Sequence, residues 1–352
     1  MEMTALSASP DFLSVAGSPW LSPYRPLLSG GHQQTLLGNY WRRAVFSLPS
    51  EAISITVDPA DGSRVLCHCH WQPAQLRSHR LTLLLVHGLE GSSDSAYIRG
   101  ITRLAWAEGC NVVRMNMRNC GGTDTWTPTL YHSGLSADVG VVLRHLAATY
   151  ALEKIAMAGY SMGGNLVLKL AGELGKSAPP WLVAAVGVSA ATDLGPSADA
   201  LHEPANRMYE WHFLRNLMRR FRRKCELFPE IYSTKHIGLI RTIREFDDQI
   251  TARYSGFADA DDYYSRSSSA RVVPSIAIPT LVLHATDDPF IRMSNSTRAA
   301  LAINPCIDFI ETPQGGHCAY LAASGGSARP ERHWAESTLV RYVLHQAEQH
   351  GS

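Results

Sequence analysis

The stretch GYSMGG, residues 159–164, decides the fold prediction because it lies between a strand-like run and a helix-like run. The apolar run Ile155–Ala158 precedes it, and the stretch Asn165–Leu174 follows it. A strand that turns sharply into a helix strains the central residue, and flanking glycines let neighbouring backbone approach without a Cβ clash. Such a turn exposes the Ser161 hydroxyl and puts the Met162 N–H at a helix N-terminus, where negative charge is favoured. The pattern therefore predicts an exposed serine beside a site that suits an oxyanion.

Short apolar runs separated by helix-length segments extend in both directions from this turn. They are Leu81–Val86, Val112–Asn116, Ile155–Ala158, Leu182–Val188, Thr280–Leu283 and Ile307–Ile310. Nearly continuous apolar strands that alternate with helices indicate a mostly parallel sheet with helices on both faces. Upstream, Ile53–Val57 and Val65–His70 alternate around a turn and predict a β-hairpin at the sheet edge. The sequence therefore predicts an α/β fold whose core comprises residues 51–190 and 279–352.

Two segments depart from this alternation. Residues 1–50 are rich in Pro, Ser and Gly, and we expect an extended arm packed over the core. The interval 191–278 is far longer than the ~30 residues of a βαβ unit, which predicts an inserted helical cap. In this cap, apolar residues at steps of three and four predict one helix stripe, and basic residues crowd the other faces. The stripe is Met208, Trp211, Leu214, Met218, Phe221 and Cys225, and the basic residues are Arg215, Arg219, Arg220, Arg222, Arg223 and Lys224.

Composition and charge argue against several classes of protein. Lys+Arg 32 and Asp+Glu 31 give a net charge of +1, so the chain lacks the positive field of a nucleic-acid-binding protein. No uncharged stretch reaches the ~18 residues that a membrane-spanning helix needs; the apolar stretch at residues 177–192, for example, has sixteen. The cysteines number seven and are scattered, as is typical of reduced thiols. We therefore expect a cytoplasmic protein that does not bind nucleic acid.

A serine hydroxyl is a weak nucleophile near neutral pH and needs a general base that a third group orients. Candidates follow two later strands: Asp287 and Asp288 come after Thr280–Leu283, and His317 comes after Ile307–Ile310. Sites on open α/β sheets lie at the carboxyl ends of strands, and the chain order Ser, Asp, His is that of α/β hydrolases. The loop after Leu81–Val86 supplies a second donor for an oxyanion, which we predict to be the Leu89 N–H.

Together these segments resemble the YheT-like family of α/β hydrolases, which is related to the abhydrolase-domain lipid hydrolases of animals. The resemblance runs almost end to end and includes GHQQT at 31–35, HGLEGSS at 87–93, MRNCGGT at 117–123, YHSG at 131–134, GYSMGGN at 159–165, DDPF at 287–290 and GGH at 315–317. It implies an α/β-hydrolase fold, a triad on Ser161, Asp288 and His317, and hydrolysis of lipid or small alkyl esters. Laying the usual segment His-Gly-x-x-Asp-Pro on His284 puts the acid at Asp288, with Asp287 as the alternative.

We therefore predict a serine carboxylesterase that hydrolyses short- to medium-chain or lipid acyl esters through this triad and an acyl-enzyme. The N–H groups of Leu89 and Met162 form the predicted oxyanion hole, and no cofactor or metal is expected. Cys67–His70 (CHCH) does not predict a metal site, since strand alternation puts the cysteines and histidines on opposite faces. An acyltransferase that uses the same serine and a non-catalytic binding protein on a hydrolase scaffold are the alternatives.

The cap helix leaves two questions open at the level of sequence. Met208, Trp211, Met218 and Phe221 either line an acyl pocket or dock the helix on the core. The basic faces are a solvated surface, a surface that contacts anionic lipid, or a patch that holds an acidic substrate group. The expected partner is a small-molecule or lipid ester, and the oligomeric state is open.

Overall fold

The computed structural model describes residues 18–40, 47–235, 237–323 and 332–350, and its centre is an 8-stranded sheet. The strands are β1 Glu51–Asp58, β2 Ser63–His70, β3 Thr82–Val86, β4 Asn111–Asn116, β5 Ile155–Tyr160, β6 Leu182–Val188, β7 Thr280–Ala285 and β8 Ile307–Thr312. Their order is β1-β2-β4-β3-β5-β6-β7-β8. The β1–β2 hairpin and the β2–β4 pair are antiparallel, and every other pair is parallel. The predicted mostly parallel sheet with a hairpin at its edge is confirmed.

Helices cover both faces of the sheet, as predicted. They are α1 Gly31–Tyr40, α2 Ala96–Ala107, α3 Ser136–Tyr150, α4 Met162–Leu174, α5 Leu194–Leu201, α6 Arg207–Leu227, α7 Ile243–Phe246, α8 Arg253–Ser255, α9 Ala260–Ser267, α10 Asn295–Ile303 and α11 Trp334–Gln349. Alternation along β3 divides the core into two layers. Leu84 and Val86 pack with residues of α3, α4 and α10, whereas Leu83 and Leu85 pack with residues of α2 and α11.

Helix α1 corrects the expectation of an extended arm through residue 50. Residues 31–40 are helical, whereas residues 1–17 and 41–46 of the predicted arm lie outside the described part of the chain. The helix lacks a strong apolar stripe. Polar side chains fix it instead to the segment that follows β8. Gln34 accepts a hydrogen bond from the Leu321 N–H at 2.8 Å, and Thr35 accepts one from the His317 N–H at 2.8 Å.

The chain between β6 and β7 forms α5 to α9, which share a hydrophobic cluster separate from the two sheet layers. Met218, Phe221 and Cys225 of the predicted α6 stripe are buried in this cluster. Met208 and Trp211 are instead 59% and 61% exposed, so the stripe docks the helix only beyond the first turns of α6. These turns border an open cleft and do not pack against the cap core, so their side chains stay exposed.

Two of the six basic residues assigned to the polar faces of α6 contact the core instead of forming a solvated surface: Lys224 is buried, and the Arg220 side chain is 20% exposed. Lys224 is fully buried, and its ammonium donates to the Asn119 side chain at 3.0 Å and to the Thr127 carbonyl. Burial lowers the pKa of Lys224 to about 8. Arg220 points toward the loop that follows β3 and pairs there with Glu90. Periodicity missed these contacts because the partners lie 97 to 130 residues away along the chain.

No helix within the described ranges is long and apolar enough to cross a membrane.

Candidate active site

Ser161 occupies the sharp turn between β5 and α4. Its backbone has φ 54° and ψ −120°, a conformation that a residue with a side chain adopts only under constraint. A Cβ at Gly159 would lie 2.2 Å from the Gly163 carbonyl oxygen, and one at Gly163 would lie 2.4 Å from the His87 carbonyl oxygen. Both glycines are therefore required for the turn to close. The turn directs Ser161 into the space between core and cap, where it borders two cavities.

The Leu89 and Met162 N–H groups are available for a ligand. Both residues line a cavity together with Ser161, and neither N–H donates to another group in the described parts of the chain. The Leu89 loop is held by its neighbours, because the Gly88 N–H donates to the Tyr97 hydroxyl at 2.8 Å. His87 Nδ1 lies 2.8 Å from the Gly88 oxygen. Burial lowers the pKa of His87 to about 4, so this imidazole is neutral and supports the loop.

Asp288 and His317 meet at the carboxyl ends of β7 and β8. Asp288 Oδ2 lies 2.8 Å from His317 Nδ1, and Oδ1 accepts the N–H groups of Phe290 and Ile291 at 3.1 and 2.9 Å. The Asp288 side chain is fully buried, which opposes ionisation, but His317 and these N–H donors lower its pKa below the ordinary value. Asp287 instead accepts the Gly316 N–H at 2.8 Å. The structure thus brings Asp288 rather than Asp287 to the imidazole.

His317 Nε2 faces the same cleft as Ser161, but the structure shows no hydrogen bond between this nitrogen and Ser161 Oγ. The neighbouring Cys318 Sγ lies 3.4 Å from Nε2. Burial lowers the pKa of the imidazole, but the Cys318 sulfur and the Asp288 carboxylate outweigh it and raise the pKa above its ordinary value. Catalytic contacts of this kind are often open before substrate binds.

Two groups that support the candidate site were missed by the sequence analysis. Thr35 accepts the His317 N–H and donates to the Gly31 carbonyl at 2.6 Å, so α1 fixes the backbone of His317. Gly31 has no room for a side chain, since a Cβ there would lie 1.7 Å from the Asp287 oxygen. Both residues lie in the GHQQT segment of the family resemblance, but its letters carry no sign of this contact.

The second missed group joins the cap to the Leu89 loop. Glu90 has a positive φ of 56°, and its carboxylate accepts from the Tyr131 hydroxyl at 2.5 Å and from Arg220 Nε at 3.0 Å. Arg220 also donates to the Asn119 carbonyl. The Glu90 side chain is buried, so this ion pair sits in a poorly solvated position. The ion pair therefore fixes Glu90, the residue that follows Leu89 and its candidate oxyanion-hole N–H.

Two cavities meet at Ser161. The smaller one, of about 110 Å³, lies between core and cap on the side of Met162, and we call it the enclosed cavity because mostly buried residues line it. The larger one, of about 580 Å³, lies on the side of His317 and Cys318, and we call it the open cleft because its lining includes the exposed Met208 and Trp211. Ser161, Leu89, Phe213 and Phe290 border both spaces.

The four stripe residues proposed for an acyl pocket are divided by the structure. Met208 and Trp211 line the open cleft, whereas Met218 and Phe221 are buried in the cap cluster and line neither cavity. Phe213 and Leu217 of α6 line the enclosed cavity instead. Each alternative therefore holds for one half of the stripe, and the α6 residues of the enclosed cavity lie outside the stripe.

Comparisons with known proteins agree with this architecture. Residues 82–323 match the family model described as the alpha/beta hydrolase fold. The chain is 32% identical over 96% of its length to "Putative esterase YheT" of Escherichia coli (strain K12), and the match spans 94% of that protein. It is 31% identical over 69% of its length to phospholipase ABHD3 of Mus musculus, of which it spans 59%.

Among solved structures, the esterase Pf2001 of Pyrococcus furiosus superposes with a TM-score of 0.55 at 14% identity. The alignment covers 92% of this chain and 98% of that one. This likeness shows a shared fold. The family match and the end-to-end similarity to YheT establish that the chain belongs to the YheT-like family of α/β hydrolases.

Proposed function

We propose that this protein is a serine esterase that hydrolyses acyl esters through an acyl-enzyme on Ser161. The observation that carries the proposal is the 2.8 Å contact between His317 and Asp288 in a cleft that also holds the strained Ser161. A nucleophile, a base and an orienting acid in this order are the parts that acyl transfer requires. The names of the relatives, an esterase and a phospholipase, support ester bonds as the target.

In the proposed mechanism, His317 accepts the proton of Ser161 as its oxygen attacks the ester carbonyl. Asp288 holds the imidazole through Nδ1 and stabilises the imidazolium that forms. The Leu89 and Met162 N–H groups then donate to the oxyanion of the tetrahedral intermediate. The Ser161 hydroxyl replaces the Cys318 sulfur at His317 Nε2 when substrate binds. Collapse of the intermediate releases the alcohol, and water attacks the acyl-enzyme with His317 again as the base.

We assign the two halves of the ester to the two cavities from the position of His317. The imidazolium donates its proton to the leaving alcohol oxygen, so the alcohol lies on the His317 side. Only the open cleft borders His317 among the two cavities at Ser161, and we therefore place the alcohol there. The acyl group then occupies the enclosed cavity beside Met162 and Leu89.

The size of each space limits the substrate. The enclosed cavity of about 110 Å³ is smaller than the about 150 Å³ apolar cavity that accommodates benzene, which favours short acyl groups of about four carbons. The cleft is larger and exposes Met208 and Trp211, which favours a bulky, partly apolar alcohol. We propose that the substrates are short-chain esters of large alcohols.

A p-nitrophenyl ester series from acetate to palmitate, hydrolysed by wild type and Ser161→Ala, tests the proposal. We expect the highest kcat/KM at short chains and loss of this activity in the variant. Equal hydrolysis by the two proteins across the series would refute the assignment of Ser161. A maximum at palmitate would refute the assignment of the acyl group to the enclosed cavity.

We also propose that the outer face of α6 contacts anionic lipid. Arg215, Arg219 and Arg222 are exposed, and the described ion pairs of the α6 arginines involve only Arg220 and Arg223. Trp211 is exposed beside them, with the Arg215 guanidinium 5.3 Å from its ring centre. Exposed aromatic and basic groups on one helix are typical of interfacial binding.

Sedimentation with vesicles tests this contact. Binding should rise with the fraction of phosphatidylglycerol in phosphatidylcholine vesicles, fall with added salt, and disappear when Arg215, Arg219 and Arg222 are all replaced by Glu. Absent binding, or binding that does not depend on salt, would refute the contact.

A further inference from the structure

Asp247 is a carboxylate on the cap wall of the enclosed cavity, among apolar side chains such as Leu201 and Phe246. Although it lies deep in the cap, it keeps partly accessible surface, as a group that lines a cavity does. The proposed catalytic steps do not use it. A charged or polar group in such surroundings is costly unless its hydrogen-bonding capacity is met. The position therefore calls for an explanation in terms of what enters the cavity.

The backbone that carries Asp247 is unusual. Residues Asp247–Ala252 form a π-helical segment between α7 and α8. Such segments are rare and are found frequently at functional sites. This one places Asp247 and Thr251 on the cavity wall, while Ile250 packs into the cap cluster. The irregular turn thus brings two polar side chains to the wall of the enclosed cavity.

The Asp247 carboxylate has acceptor capacity to spare. Its Oδ1 accepts from the Thr251 hydroxyl at 2.7 Å, and its Oδ2 accepts from the Tyr264 hydroxyl at 2.8 Å. A carboxylate accommodates about four donors, so these two leave room for a further one. In the described parts of the chain, no cation lies within 4 Å of this carboxylate. Arg244, the nearest cationic influence, is paired with Asp199 and Asp261.

The charge on Asp247 is also only partly compensated. Burial raises the pKa of this carboxyl to about 6, although the bonds from Thr251 and Tyr264 and the nearby Arg244 act in the opposite direction. A hydrogen-bond donor on the substrate would stabilise the Asp247 carboxylate further, beyond the two hydroxyl donors that the protein provides. A hydroxyl fits this mostly apolar and poorly solvated cavity better than an ammonium group, because moving an ion out of water costs far more.

We propose that the enclosed cavity recognises a hydroxy-substituted acyl chain whose O–H donates to Asp247. This inference rests on the proposed function, since it takes the enclosed cavity as the acyl site. Asp247 is then a specificity-determining residue, and Thr251 and Tyr264 position it. The substrate class narrows to short hydroxyacyl esters of large alcohols.

Matched ester pairs test this inference. Each pair of methyl esters has one chain ending in a methyl group and one in which a hydroxyl replaces that methyl, with chains of three to six carbons before the replaced group. Acid release is followed in a pH-stat. For at least one length we expect wild type to prefer the hydroxy ester in kcat/KM by about 10- to 100-fold, the range for a hydrogen bond to a charged group.

Variants separate the contribution of Asp247 from general damage. Asp247→Leu should reverse the preference toward the methyl-terminated ester, and its activity on that ester shows that it folds. Asp247→Asn keeps the shape and an acceptor oxygen, so it should retain a preference below about 10-fold. Asp248→Asn, which removes the neighbouring carboxylate, should leave the preference unchanged.

The outcomes distinguish this inference from the proposed function. Ser161-dependent hydrolysis with equal rates, or with a preference for the methyl-terminated ester at every length, would overturn the role of Asp247 and leave the esterase intact. A preference that survives in Asp247→Leu would also overturn it. Absence of Ser161-dependent hydrolysis of both these methyl esters and the p-nitrophenyl esters would refute the proposed function itself.

Discussion

The catalytic core and the cap each hold a carboxylate at the candidate site, Asp288 beside His317 and Asp247 on the wall of the enclosed cavity, and the two are held in opposite ways. Asp288 in the core accepts from His317 and from two backbone N–H groups, and its pKa is lowered. Asp247 in the cap accepts from two neutral hydroxyls, and burial raises its pKa to about 6. Asp288 suits a role in proton transfer because its partner, His317, becomes a cation in the proposed mechanism. Spare acceptor capacity at a cavity wall suits recognition of substrate.

The strongest way to break this comparison is to remove the charge at Asp288. Asp288→Asn should lower kcat by about 10⁴-fold, because His317 loses the group that sets its tautomer and stabilises its cation. Asp287→Asn is the matched control, since Asp287 accepts the Gly316 N–H and does not contact the imidazole. Kinetics on a short-chain p-nitrophenyl ester measure both. A larger loss in Asp287→Asn would reverse the assignment.

The link between the two regions is the next most sensitive point. Arg220→Met leaves the Glu90 carboxylate buried without its cation and frees the loop that carries the Leu89 N–H. Loss of one oxyanion donor costs about 10²- to 10³-fold in kcat, and we expect a loss in this range. Arg223→Met removes an exposed arginine of the same helix that pairs with Glu226, and it should change kcat little. Equal activities of the two variants would argue against the link.

The pH dependence of stability sharpens the contrast from the side of the cap. Because the folded pKa of Asp247 is raised, the folded protein binds this proton more tightly than the unfolded chain does. The resulting stabilisation is complete below about pH 4 and is lost as pH rises through about 6. Relative to Asp247→Asn, wild type should lose up to about 3 kcal/mol of unfolding free energy from pH 4 to pH 7.

Urea unfolding at both pH values measures this difference. Asp248→Asn serves as the control for removal of one negative charge from the same segment. A wild type that gains stability relative to Asp247→Asn over this interval would contradict the raised pKa of Asp247.

The smallest expected effect concerns the size of the acyl cavity. Ala198 lines the enclosed cavity and is buried, so Ala198→Leu should fill part of this space. We expect kcat/KM for a butanoate or pentanoate ester to fall about 10-fold relative to acetate, as one or two methylene groups lose their place. Acetate is the internal control for folding and chemistry. An unchanged ratio would place the acyl group elsewhere.

The sequence predicted the core and the chemical groups well because both follow from local rules. Apolar runs fixed the strands, and Ser161, Asp288 and His317 each follow the end of one, where side chains converge on an open sheet. The same rules could not find Thr35 or Arg220, whose partners lie 282 and 130 residues away. The sequence also did not show which apolar residues of α6 line the enclosed cavity, because apolar periodicity does not distinguish a face that packs from one that borders a cavity.

The cap was least predictable for a related reason. Asp247 reads as an ordinary acidic residue in the sequence, and its position depends on a π-helical segment that no propensity indicates. Its position on a cavity wall becomes evident only in the folded chain, where residues of α6, α9 and the core line the same cavity. Core chemistry is therefore readable from strand ends, whereas cap selectivity depends on how distant segments pack.

Labelling with a fluorophosphonate, followed by peptide mass spectrometry, tests the central claim most directly. The account predicts one stoichiometric adduct on Ser161 in wild type, much slower labelling of Asp288→Asn, and no adduct in Ser161→Ala. Ser133, which lines the enclosed cavity together with Ser161, is the matched control, and Ser133→Ala should label like wild type. Labelling of Ser161→Ala at the wild-type rate would contradict the account.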